Sequence, residues 1–121
     1  MAVAVGAMLG ANLRFVIGNW AADRWGPAFP YGTLLINVTG AFVIGLFLSA
    51  IASSTGLSPL WRPFFVTGFL GGYTTFSSYT FEALSLVQAG AILRFFVYFL
   101  GSPAAGLAGV WLGSTVGAMR L

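Results

Sequence analysis

Long apolar stretches separated by short polar breaks organise this chain. Each stretch is about as long as the 20 apolar residues that a helix needs to cross a bilayer. The four stretches run from about Ala2 to about Trp20, from about Gly32 to Ser53, from about Trp61 to Val87, and from about Ile92 to about Gly117. The breaks are short and carry Pro, Gly or polar residues, so consecutive helices should be antiparallel neighbours. The pattern predicts an all-α membrane protein with a single four-helix transmembrane domain over residues 1–121.

Composition supports this reading and excludes several kinds of function. Of 121 residues, 59% are hydrophobic and only 6% are charged, with a mean hydropathy of +0.95; soluble domains carry about 25% charged residues. The absence of Cys and His excludes disulfide scaffolds, thiol redox sites and zinc sites with N/S ligands. With two carboxylates and no Lys, acid–base and nucleophilic catalysis lack their usual side chains, so we predict no enzyme. The arginines are scattered, so the high pI does not indicate nucleic acid as a partner.

The arginines outside the spans are divided evenly between the two sides of the membrane. Arg62 and Arg120 fall on one side of a four-span arrangement, and Arg24 and Arg94 fall on the other. This leaves no positive-inside bias to set an orientation. Either neighbouring proteins decide the topology, or the chain inserts both ways and two copies pair antiparallel; we favour the second. A bundle this small would hardly enclose a solute path by itself, which also indicates an oligomer.

The third apolar stretch contains a predicted interruption, where Gly71 and Gly72 are followed by Thr74 and Thr75. Paired glycines weaken a helix, and either threonine can cap a helix that restarts after them. A discontinuous helix places backbone groups near the membrane midplane. Its freed carbonyls could hold a small cation, and the N-terminus of its second half would favour an anion. The alternative is that the glycines only permit close helix packing.

Hydroxyl side chains are concentrated just after these glycines. A single Ser or Thr in a span usually bonds to its own helix or to a neighbour, but here five occur within seven residues: Thr74, Thr75, Ser77, Ser78 and Thr80. Such a run is harder to explain by packing alone. Hydroxyls are among the groups that can replace the water of a small anion.

Further groups suited to a small anion lie at membrane depth. Phe76, Tyr79 and Glu82 are spaced by three residues and share a helix face, and the edges of aromatic rings are electropositive. Asn37, near the middle of the second span, offers amide N–H donors. Packing remains the alternative for the aromatic pair. Arg14 is the intramembrane cation that could pair with Glu82, but the sequence leaves open whether it does.

Three segments resemble the motifs of a known family, the Fluc (CrcB) fluoride channels of bacteria. Residues Gly68–Glu82 resemble its third-span signature G-F-x-G-G-x-T-T-F-S-T-F-S-x-E. Residues Gly32–Gly40 are similar to G-T-L-x-V-N-x-x-G, and residues Gly6–Phe15 are similar to G-x-x-G-A-x-x-R-[YF]. The three segments occur in the expected order and, with the four spans, cover essentially the whole chain.

The resemblance implies a dual-topology antiparallel homodimer in the bacterial inner membrane, with two narrow fluoride pathways. It also implies a structural sodium ion at the dimer interface, held by the backbone carbonyls of Gly71 and Thr74 from each chain. Arg14 matches the family's first-span arginine, a structural or pore-vestibule charge. The positions that match the family's fluoride pathway are Asn37, Thr75, Phe76, Ser77, Tyr79, Glu82, Tyr98 and Ser102.

Two residues depart from what the family pattern leads us to expect. Tyr79 replaces the second phenylalanine of the third-span signature; its ring edge can still face an anion, but its hydroxyl adds a donor and bulk. Pro103 lies within the fourth span and should kink that helix or free a carbonyl near residue 99. Either effect would change the backbone around Ser102, which directly precedes the proline.

The function that these features favour is passive, selective efflux of fluoride. A small multidrug-type proton antiporter is the first alternative, because it also has four short spans and often dual topology. Such a transporter typically needs a carboxylate in its first span, where this chain has Arg14; its intramembrane acid, Glu82, is in the third. A non-transporting assembly protein is the second alternative, and it would leave the hydroxyl run and the glycine break without a role.

Overall fold

Residues 1–52 and 54–119 are described by a computed structural model, and within these ranges the chain is helical without any strand. The elements are α1 (Ala2–Trp25), α2 (Tyr31–Ile51), a π-helical segment (Pro63–Leu70), α3 (Gly71–Tyr73), α4 (Phe76–Gln88) and α5 (Ile92–Ala118). Helices α1, α2 and α5 are long and apolar enough to cross a membrane. The prediction of an all-α membrane protein is therefore confirmed. Ser53, the predicted end of the second span, and Arg120 lie outside the described residues.

The third predicted span is a broken helix. The π-helical segment runs directly into α3, and the helix then stops because Thr74 (φ −80°, ψ 158°) and Thr75 (φ −148°, ψ 120°) are both extended. Of the two candidate caps, Thr75 takes the role: its side chain accepts the N–H of Ser78 at 3.2 Å. The predicted interruption is confirmed. That the two halves together cross the membrane as a fourth span remains a prediction.

The first helix is longer than the sequence pattern suggested. We expected it to end near Trp20, whereas α1 continues to Trp25, so that boundary was wrong. Charged side chains do not by themselves end a helix, and Arg24 in the last turn interacts favourably with the helix dipole. The helix ends where Gly26 adopts a φ of 72° and Pro27 follows.

Helix packing depends on close backbone contact. Helix α1 packs against the π-helical segment and α3, while α2 packs along α5. A Cβ at Gly10 would overlap the carbonyl oxygen of Phe69, and a Cβ at Gly113 would overlap that of Phe42. Small residues at such interfaces are typical of helix association in lipid, where no hydrophobic effect drives helices together. These contacts hold α2 and the broken helix in fixed positions.

One buried cluster of the hydrophobic core lies between α4 and α5. It consists of Tyr79, Ala83, Leu86 and Tyr98. Large apolar side chains elsewhere, such as Leu93, face outward. In a membrane protein these side chains face lipid or another chain, so their exposure in a single chain fits the predicted environment.

Candidate functional site

Asn37 of α2 braces the break in the third span. Its Nδ2 donates to the carbonyl oxygen of Thr75 at 2.9 Å, and the Thr75 N–H donates to its Oδ1 at 2.8 Å. One side-chain amide therefore satisfies both backbone groups of an extended residue inside the helical bundle. One of the two Nδ2 hydrogens is used in this way, and the other remains for a further acceptor.

The carbonyls of Gly71 and Thr74 lose their regular helical partners at the break. In a continuous helix they would accept from the N–H groups four residues later, which belong to Thr75 and Ser78. Those N–H groups instead donate to the Asn37 side chain and to the Thr75 hydroxyl. Gly71 and Thr74 also line one open cavity of about 400 Å³ together with Asn37 and Phe76. Unwound backbone carbonyls of this kind coordinate sodium in membrane proteins, so these residues fit the predicted ion.

Arg14 holds the backbone at the same break. Its Nε donates to the carbonyl oxygen of Gly72 at 3.0 Å, which connects the middle of α1 to α3. The carbonyl of Gly72 is thus occupied, whereas its neighbours at 71 and 74 have lost their regular donors. Within one chain, the structure therefore shows Arg14 bonded to the backbone of α3.

Glu82, within the same chain, bonds to two hydroxyl groups. Its carboxylate accepts the hydroxyl of Thr33 at 2.7 Å on Oε1 and the hydroxyl of Tyr98 at 2.9 Å on Oε2. The three side chains come from α2, α4 and α5, so the carboxylate connects three elements through charge-assisted hydrogen bonds. Sequence reasoning assigned no role to Thr33. The available signal was its spacing of four residues from Asn37, which places both on one face of α2.

Phe76 and Tyr79 are neighbours with different surroundings. Their ring centroids are 5.8 Å apart with planes tilted by 47°, so the predicted shared face is present. Phe76 is 76% exposed, whereas Tyr79 is 7% exposed. The Tyr79 ring lies beside Tyr98, at 5.2 Å between centroids, and its hydroxyl donates to the carbonyl of Phe99. Tyr79 therefore belongs to the buried core, and Phe76 faces the open cavity.

The remaining predicted hydroxyls differ in how far their hydrogen bonds are used. The Thr75 hydroxyl lies 3.4 Å from that of Ser77 and donates to that of Ser78 at 3.1 Å, at the N-terminus of α4. Among the described residues, the Ser102 hydroxyl is the buried side-chain polar atom without a hydrogen-bond partner. A buried hydroxyl is rarely left unpaired, which makes Ser102 a candidate for contact with an ion or water.

The structure brings most of the predicted residues together in two groups, and Ser102 lies in neither. Around the break lie Asn37, Gly71, Thr74, Thr75 and Phe76. Around the carboxylate lie Tyr79, Tyr98 and Glu82. The Phe76–Tyr79 ring contact joins the two groups along α4. The group at the break presents neutral N–H and O–H donors and a ring edge, and the second group is built around the Glu82 carboxylate.

The family model and the individual relatives that match this chain agree on one family. The model of the family described as CrcB-like protein, Camphor Resistance (CrcB), matches residues 1–114. A protein of Roseiflexus sp. is 50% identical over 96% of this chain and 94% of its own length. One from Acidobacterium capsulatum is 48% identical over 95% of this chain and 92% of its own, and one from Aquifex aeolicus is 40% identical over 96% and 94%. All three relatives are named fluoride-specific ion channel FluC. The chain therefore belongs to the CrcB-like family, which is a family of ion channels and not of enzymes.

Proposed function

We propose that the protein is a fluoride channel through which fluoride leaves the cell passively. The observation that carries the proposal is the broken helix, where Asn37, Thr75 and the N-terminus of α4 place neutral donors beside Phe76. The names of the relatives agree with this function. Fluoride enters a cell as neutral HF and dissociates in the more alkaline cytoplasm. A negative membrane potential then drives the anion outward, so no coupled ion or ATP is needed.

The donors along this route suit a small, strongly hydrated anion. A channel must replace the ion's water with groups that bind firmly enough for entry and weakly enough for exit. The candidates are the second Asn37 N–H, the first turn of α4, the unpaired Ser102 hydroxyl, and the ring edges of Phe76 and Tyr79. Arg14 is not counted among these groups, because its Nε donates to the Gly72 carbonyl. A route lined by neutral groups would release fluoride more readily than one lined by free cations.

Glu82 would serve this route indirectly. A bare carboxylate beside an anion path repels the anion, but here both oxygens accept hydrogen bonds from the hydroxyls of Thr33 and Tyr98. The bonds spread part of the negative charge over the hydroxyls and fix the direction of each. Glu82 would thus orient polar groups of α2 and α5 at the side of the path. Family membership also favours this channel role over a proton antiporter that would use the acid as a proton carrier.

A sodium ion at the Gly71 and Thr74 carbonyls would complete the site structurally. Each chain offers two oxygens, which is fewer than a sodium ion needs, so a second copy related by two-fold symmetry would supply two more. The open cavity next to these carbonyls leaves room for that copy. The sodium ion would then lock the two broken helices together and would not be transported.

The second copy would insert in the opposite orientation. The even division of arginines between the two sides supports this, because it gives the chain no preferred direction. The chain has no cysteine, so single cysteines report topology cleanly. With Ser58→Cys in the second loop, we expect a membrane-impermeant maleimide to label about half of the protein in intact cells. Ala28→Cys in the first loop should give the same fraction, whereas a single orientation would give complete labelling of one and none of the other.

Growth of cells in fluoride tests the function itself. We expect cells lacking the protein to become sensitive to fluoride, and the intact gene to restore growth. An Asn37→Ala variant that is produced at a normal level should fail to restore it. Full resistance with Asn37→Ala would favour an assembly protein over a channel.

A further inference from the structure

Helix α5 lacks one backbone hydrogen bond near its middle. Pro103 has no N–H, so the carbonyl of Phe99 cannot accept the usual bond from four residues further along. The helix nevertheless continues on both sides of the proline, from Ile92 to Ala118. An unsatisfied carbonyl at membrane depth is costly, and a proline there is tolerated when a neighbouring group supplies the missing donor.

Tyr79 of α4 supplies that donor. Its hydroxyl donates to the Phe99 carbonyl oxygen, which is the oxygen that Pro103 leaves without a helical partner. The Tyr79 ring lies nearly parallel to the ring of Phe99, with an interplanar angle of 5° and centroids 5.9 Å apart. Pro103 itself is exposed, so its role toward Tyr79 comes from the missing N–H and not from side-chain contact.

We propose that Tyr79 is a positioning residue whose hydroxyl replaces the missing N–H of residue 103 and fastens α4 to α5. The same contact fixes the ring of Tyr79 beside Tyr98, and Tyr98 directs its hydroxyl to Glu82. Tyr79 and Pro103 thereby form a matched pair. A phenylalanine at 79 would suffice if residue 103 had an N–H, but it leaves the Phe99 carbonyl unpaired when residue 103 is proline.

This proposal differs from a role in which the Tyr79 hydroxyl serves as a donor to the anion. A hydroxyl that donates to the anion would matter equally whatever residue stands at 103. A hydroxyl that replaces a backbone donor becomes dispensable once residue 103 has an N–H. The proposed contact between α4 and α5 does not depend on the proposed function. Its effect on conduction does rest on that function.

A double-mutant cycle between Tyr79→Phe and Pro103→Ala separates these cases. The readout is the thermal unfolding midpoint of the purified protein. Tyr79→Phe should lower the midpoint by about 3 to 8 °C, because it leaves a buried carbonyl unpaired. Pro103→Ala should change it little, and the double variant should recover most of the loss. Fluoride efflux from liposomes should follow the same order, with Tyr79→Phe several-fold slower and the double variant near the original rate.

Tyr73→Phe is the matched control. It also removes a phenol hydroxyl, one that lies 2.9 Å from the Thr39 hydroxyl, and Pro103→Ala should not rescue it. An equal loss from Tyr79→Phe in both backgrounds, or no loss with Pro103 present, would overturn the proposal. If Tyr79→Phe alone yields no folded protein, recovery of folded protein in the double variant supports the proposal and failure of both overturns it. If the unaltered protein releases no fluoride, the proposed function fails while the midpoints still decide this question.

Discussion

Helical hydrogen bonding is interrupted once in the broken third span and once in α5, and the carbonyls that are freed there have opposite surroundings. At Thr74 and Thr75 the backbone becomes extended, and the N–H groups that would serve Gly71 and Thr74 donate to side chains instead. At Pro103 the helix continues, and the carbonyl left over at Phe99 accepts the Tyr79 hydroxyl.

The difference lies in what the surrounding elements contribute. At the break, α2 brings Asn37, which takes the Thr75 N–H, and the carbonyls of Gly71 and Thr74 border an open cavity. At the proline, α4 brings a donor that occupies the carbonyl within a packed aromatic cluster. A missing helical bond therefore offers an ion site only where no neighbour replaces the donor and space adjoins the oxygen. The first interruption is suited to binding and the second to structure.

The largest effect should come from removing the brace at the break. Asn37→Ala leaves the N–H of Thr75 without a partner and removes one of the bonds to its carbonyl oxygen, and an unpaired buried group costs about 1–3 kcal/mol. We expect fluoride efflux from liposomes to fall by at least about tenfold. Asn12→Ala is the control, since Asn12 is exposed and donates only to Met8 of its own helix. Equal rates for the two variants would show that the break needs no brace.

A somewhat smaller effect should follow from forcing α5, which contains Pro103, away from α2, which carries Asn37. Gly113→Ala places a methyl group against the Phe42 carbonyl, which should separate α5 from α2 and cost about 1–3 kcal/mol or more. Gly106→Ala in the same helix meets nothing within 4 Å and should be neutral or slightly stabilising. Thermal unfolding midpoints check the pair. Similar midpoints for both variants would contradict the close packing of α2 and α5.

Added sodium should stabilise the protein through the carbonyls of Gly71 and Thr74 and not through the Phe99 carbonyl, which already accepts the Tyr79 hydroxyl. If the Gly71 and Thr74 oxygens bind sodium, the unfolding midpoint should rise with sodium concentration, because a ligand that binds only the folded state stabilises it. Choline at equal ionic strength should give no rise. Pro103→Ala should keep the full sodium response, since the Phe99 carbonyl that Pro103 leaves without a helical donor takes no part in the sodium site. An unfolding midpoint that does not change with sodium concentration would contradict sodium binding at the Gly71 and Thr74 carbonyls.

The smallest effect should come from the cap of α4. Thr75→Val removes the hydroxyl that accepts the Ser78 N–H, and loss of an N-cap costs about 1 kcal/mol. Thr80→Val removes a hydroxyl of the same helix that donates back to the carbonyls of Phe76 and Ser77 and should cost less. The free energies of unfolding of the two variants provide the comparison. A greater loss at residue 80 would argue against the capping role of Thr75.

Much of this architecture could be predicted from the sequence because it depends on local chemistry. The glycine pair followed by two threonines indicated the break, and the start of α5 at Ile92 agrees with the predicted boundary. The predicted end of α1 near Trp20 was wrong, because the helix continues through Asp23 and Arg24 and ends only at Gly26.

Contacts between distant elements could not be predicted in the same way. The sequence predicted that Pro103 would either kink the fourth span or free a carbonyl near residue 99, and it showed that Tyr79 carries an extra hydroxyl. It did not show that the two meet, because that depends on how α4 lies on α5. The partners of Arg14 and Glu82 were left open for the same reason, and Thr33 was missed because its role exists only through the carboxylate of Glu82.

Ion efflux from liposomes that contain only the purified protein tests the central claim most directly. Vesicles loaded with equal concentrations of fluoride and chloride would be opened to an outward gradient, with a potassium ionophore to carry the compensating charge. We expect rapid release of fluoride while chloride stays inside. Release of both anions at equal rates, or of neither, would contradict a fluoride-selective path at the broken helix.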